Sequence, residues 1–69
     1  MNDEWIQVYS ANELYKVDLV KGMLQENGIG SEILDRQDSA FLTGDVELFV
    51  HTSDFEAAKK LIEERREVE

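Results

Sequence analysis

Sixty-nine residues with sixteen Asp and Glu against seven Lys and Arg, a formal net charge of -9, allow one small domain, residues 1–69, with a thin core. The absence of cysteine removes disulfides, thiolate zinc sites and cysteine nucleophiles, and one His leaves a conventional structural metal site short of ligands. No apolar run reaches the roughly 18 residues of a membrane span, Met1-Asn2-Asp3-Glu4 is the reverse of a basic signal-peptide start, and the basic residues are scattered or interleaved with acids, as in Glu63-Glu64-Arg65-Arg66-Glu67; a cytoplasmic protein that binds neither membrane nor nucleic acid is expected.

Trp5-Ile6-Gln7-Val8-Tyr9 reads as a first strand, with Ile6 and Val8 on one face and Trp5, Gln7 and Tyr9 on the other. Ser10-Ala11-Asn12-Glu13 then fits the S-x-x-E capping box and predicts a helix from about Ala11 to Asn27. Its apolar residues Val17, Leu19, Val20, Met23 and Leu24 span roughly 160° at about 100° per residue, wide enough for a sheet and a second helix. Gly22 inside this helix suggests a close neighbour, and Asn27-Gly28 is a helix stop.

A weaker strand follows from about Ile29 to Asp35, since Gly30 and Ser31 add little packing. Residues 36–43 form a polar loop carrying Phe41 and Leu42, long enough in so small a domain to suggest a role. Asp45-Val46-Glu47-Leu48-Phe49-Val50-His51 alternates cleanly behind Gly44 and reads as the central strand. Ser53-Asp54-Phe55-Glu56 repeats the capping-box pattern and opens a helix whose stripe is Phe55, Ala58, Leu61 and Ile62. The ordered core should run from about 4 to 62, with 63–69 a charged helical tail.

The order β-α-β-β-α is a split β-α-β unit with a second helix, an α+β class close to a ferredoxin-like sandwich without its last strand. A right-handed crossover puts the third strand between the first two, antiparallel to both, with both helices on the face of Ile6, Val8, Ile29, Ile33, Val46, Leu48 and Val50. The opposite face collects Trp5, Gln7, Tyr9, Glu32, Leu34, Glu47 and Phe49 with no element left to cover it, which points to an interface. The first strand is also an open edge. The alternative is that Trp5 and Phe49 pack on each other and on the 36–43 loop.

The pattern Trp5-x-x-Val8-Tyr9, Leu19-Val20-x-x-Met23-Leu24-x-x-Asn27-Gly28-Ile29, Gly44-Asp45-Val46-Glu47-Leu48-Phe49-Val50 and Ala57-Ala58-x-x-Leu61-Ile62 is similar to a small bacterial domain family of putative prokaryotic signal-transducing proteins. The resemblance runs from Glu4 to Ile62, and Asp38-Ser39-Ala40-Phe41 resembles a segment of one branch. It implies a PII-like, ferredoxin-like fold; the nitrogen-regulatory PII proteins form trimers and sense small molecules. The chain departs from PII in lacking a long protruding loop and a Lys and Arg cluster suited to nucleotide phosphates.

Catalytic patterns are lacking. Gly28-Ile29-Gly30 sits between helix and strand rather than before a helix, Arg36 has no phosphate loop to serve, and Ser39 has only a distant His51 as base. His51, Asp54 and Glu56 could offer metal ligands but suit a helix start, and Asp35, Asp38 and Asp45 lack calcium-loop spacing. RNA stacking on Trp5, Tyr9 and Phe49 is opposed by Glu32 and Glu47. The expectation is therefore a non-enzymatic regulatory module without cofactor or metal. It self-associates or binds a protein partner through Trp5, Tyr9, Phe49, Leu34 and Phe41, with a loop site at Arg36, Asp38 and Ser39. The alternative is a sensor holding a small-molecule effector at a subunit interface.

Overall fold

Val46, Leu48 and Val50, alternate residues of one strand, are fully buried, while Glu47, Phe49 and His51 between them are only partly so. That strand lies at the centre of a computed structural model that describes residues 4–35 and 45–68. The elements are β1 (Trp5–Ala11), α1 (Leu14–Glu26), β2 (Ser31–Asp35), β3 (Val46–His51), a 3-10 turn (Thr52–Asp54) and α2 (Phe55–Val68). The sheet order is β1-β3-β2, with both pairings antiparallel. This is the α+β arrangement and central strand that the alternation predicts.

The core joins that β3 face to Val17, Val20 and Leu24 of α1, to Ile29, and to Ala58 and Ile62 of α2. Both helices thus pack on one side of the sheet. Each such side chain contributes roughly 1.5–3 kcal/mol on leaving water, which explains why a short chain can hold two layers. The inter-helix contact is thin, and the sheet is the common floor.

Three local outcomes depart from the pattern reading. The first is the start of α1. Ser10 and Ala11 pair with Glu47 and Val46 as the last residues of β1, so the Ser10 capping box does not form. Glu13, extended at φ -137° and ψ 138°, precedes the helix without a side-chain cap, and the amide of Lys16 donates to the Glu13 carbonyl at 3.2 Å. Ladder bonds to the central strand outcompete a local cap worth about 1 kcal/mol.

The second is a bulge in β1. Gln7 faces Phe49 and Tyr9 faces Leu48, so one step along β3 is matched by two along β1, with Val8 as the extra residue. Everything beyond Val8 changes face relative to strict alternation. Tyr9 therefore packs against the core with Val8 and Ala11. Its predicted place beside Trp5 on the open face is corrected. Ile6, opposite Val50 on the core face, is nevertheless 38% exposed.

The third is Gly22, where an added Cβ would meet nothing within 4 Å; the close neighbour inferred from this glycine is not within the described residues. At the other end of α1 the stop forms as expected. The Ile29 amide donates to the Leu24 carbonyl at 2.9 Å and the Gly28 amide to the Gln25 carbonyl at 3.0 Å. Gly28 takes φ 80°. These are the two bonds of a Schellman motif, with buried Ile29 and Leu24 as its apolar contact. The Asn27 side-chain amide adds a bond to the Met23 carbonyl at 2.9 Å.

Candidate functional site: the sheet face away from the helices

Residues directly opposite across an antiparallel pair share a face, with Cβ atoms about 4.5–5.5 Å apart. The register therefore sorts the second face into three rows. Trp5 lies opposite His51; Phe49 lies between Gln7 and Glu32; Glu47 lies between Ser10 and Leu34. Of the sequence-predicted residues, Trp5, Phe49 and Leu34 are brought together here, and Tyr9 is not. Phe41, Arg36, Asp38 and Ser39 lie outside the described residues.

Trp5 and Leu34 are each 43% exposed, and Phe49 is half-buried. The Trp5 ring rests on His51, with centroids 4.0 Å apart and planes tilted by 32°. The 36–43 loop, on which the alternative has Trp5 and Phe49 pack, lies outside the described residues. The His51 Nδ1 is shut away from solvent without a hydrogen-bond partner among the described residues. The amide of Thr52, next in the chain, donates to the Glu4 carbonyl at 3.0 Å and closes this end of the β1–β3 ladder.

Sequence reasoning missed the partnership of His51 with Trp5. β1 and β3 are joined through α1 and β2 rather than by a hairpin, so no turn pins their register. An alternating strand tells which residues share a side and leaves their opposite numbers open.

Among Lys, Arg, Asp and Glu the three rows hold only Glu32 and Glu47. Among the described residues Lys16 and Lys21 belong to α1, and Lys59, Lys60, Arg65 and Arg66 to α2. The helix side by contrast mixes signs. An open groove along α2 is lined by Phe55, Glu56, Lys59, Lys60 and Glu63, with the Lys59 ammonium 5.9 Å from the Phe55 ring centroid.

Among the described residues no three His, Asp or Glu side chains gather as a metal-binding group, so His51, Asp54 and Glu56 do not converge on one point. No helix among them is long and apolar enough to cross a membrane.

A family model described as "Putative prokaryotic signal transducing protein" matches residues 5–66. The chain belongs to this family. The match takes in the three described strands, α1, and α2 as far as Arg66. No curated protein and no solved structure matches this family member.

Proposed function

We propose that the chain is a non-catalytic regulatory module of its signal-transducing family, acting through association on the face of Trp5, Phe49, His51 and Leu34, in a PII-like, ferredoxin-like frame. One observation carries the reading. Three cross-strand rows turn Trp5 with its ring on His51, Phe49 and half-exposed Leu34 away from both helices, and a grouped apolar surface of this kind suits macromolecular contact. Effector binding at a subunit boundary, the other expectation, would itself require association first.

Side-chain footprinting by hydroxyl radicals, read by mass spectrometry, tests the proposal on the purified chain and on the complex isolated from its own cells. Association should protect Trp5 and Phe49, and Phe49→Glu should abolish it while leaving the circular dichroism spectrum unchanged. Association that leaves both side chains as reactive as in the isolated chain refutes the reading.

A further inference from the structure

We infer that the outer side of α1 is a second contact surface, on which two copies of this chain pair antiparallel about a two-fold axis. The surface lies across α1 from the sheet, so the inference goes beyond the function proposed above and stands apart from it. Leu19, which its spacing places in the packed arc of α1, is 56% exposed, and Tyr15 is 60% exposed. With Gly22 and Glu26, also exposed, they follow one another at steps of four, three and four residues. At about 100° per residue the four fall within an arc of about 60°, on the side of the helix away from buried Val17, Val20 and Leu24. Such steps are those of the seam along which two helices interlock, knob into hole.

Gly22 points to the occupant. Glycine is unfavourable against alanine in a helix interior, and a Cβ added here would meet nothing within 4 Å. The bare backbone is a notch open to the outside, one turn from Leu19, so the stripe carries knob and hole side by side. Antiparallel pairing about a two-fold sets Leu19 of each copy over Gly22 of the other. It also brings Glu26 of each copy to Tyr15 and Lys16 of the other, a carboxylate beside a phenol hydroxyl that donates and an ammonium. The Lys16 ammonium already lies 3.8 Å from the Glu13 carboxylate, both side chains half-exposed, and its flexible stem and three donors serve two acids. Parallel pairing would instead face Gly22 with Gly22 and Glu26 with Glu26, leaving a hole and two like charges. One pair of 13-residue helices covers less than the roughly 800 Å² per partner of a standard interface, so the dimer depends on concentration.

The test is sedimentation equilibrium of the full chain from about 1 μM to about 1 mM, the range in which such a pairing dissociates. Salt is held at about 0.15 M, where a screening length of roughly 8 Å damps the repulsion between copies. A monomer–dimer equilibrium is expected. Gly22→Leu is the deciding variant, because it enlarges the apolar surface and favours the helix. An indiscriminately sticky face would then associate more tightly, whereas loss of the notch should weaken pairing by about tenfold or more. Glu26→Lys and Lys16→Glu should each weaken it about threefold, and the two together should restore it. Circular dichroism checks that every variant is folded. A monomer throughout the range, a dimer that Gly22→Leu leaves unchanged or tightens, or charge reversals that do not rescue each other overturn the inference. A dimer that Phe49→Glu dissociates and Gly22→Leu does not also overturns it, while upholding association through the sheet face.

Discussion

Ser31 sits on the core side of β2 opposite Val50, 9% exposed, and its Oγ has no hydrogen-bond partner. A hydroxyl withdrawn from water without a partner costs roughly 1–3 kcal/mol, a burden the small core has no need to carry. Ser31→Ala should leave stability unchanged or raise it by up to about 1 kcal/mol in urea unfolding. A loss larger than that would mean that the hydroxyl is bonded after all. The sequence reading put Ser31 on the side of Ile29 and Ile33 and treated it as a residue that packs little, which its burial without a hydrogen-bond partner extends. Gly28 was legible because a left-handed stop after an apolar helix needs Gly or Asn there whatever else the fold does. Gly22 misled, since the same residue type inside a helix has no unique cause.

Along whole elements, the strongest local signals were read well where the fold agreed with them. The alternation of β3 marked a strand covered on one side and open on the other, and the right-handed crossover placed it between β1 and β2. The bulge in β1 was not legible: no glycine or proline marks Val8, and the extra residue exists only relative to β3. The start of α1 was misread because Ser10 satisfies a capping pattern and a strand ladder equally well in sequence. These two corrections make one joint prediction. Ser10→Ala should cost less than about 0.5 kcal/mol, short of the roughly 1 kcal/mol expected for a lost N-cap. Tyr9→Ala should cost about 1–3 kcal/mol through lost core packing. Thermal unfolding of the two variants separates the strand reading from the helix reading, and a Ser10→Ala loss above Tyr9→Ala would reverse it.

For the molecule as a whole, sixteen acids against seven bases set the electrostatics. The ion pair of Lys16 and Glu13, 3.8 Å apart and largely exposed, adds little against that imbalance. Self-repulsion should therefore dominate. The thermal midpoint should rise as sodium chloride increases from about 10 mM to about 200 mM, where the screening length contracts from roughly 30 Å to under 10 Å. A falling midpoint would show that local attractions outweigh the net charge. The count of charges was legible from the start, but their sorting was not: among the described residues, basic side chains that look scattered along the chain all fall in the two helices once the elements are drawn.

The contact between Trp5 and His51 has a practical consequence. Trp5 is the chain's one tryptophan, so all indole emission originates beside an imidazole whose ring centre is 4.0 Å away. Whatever settles on this face changes the surroundings of that one indole, and the protein reports occupancy by its own light without a label.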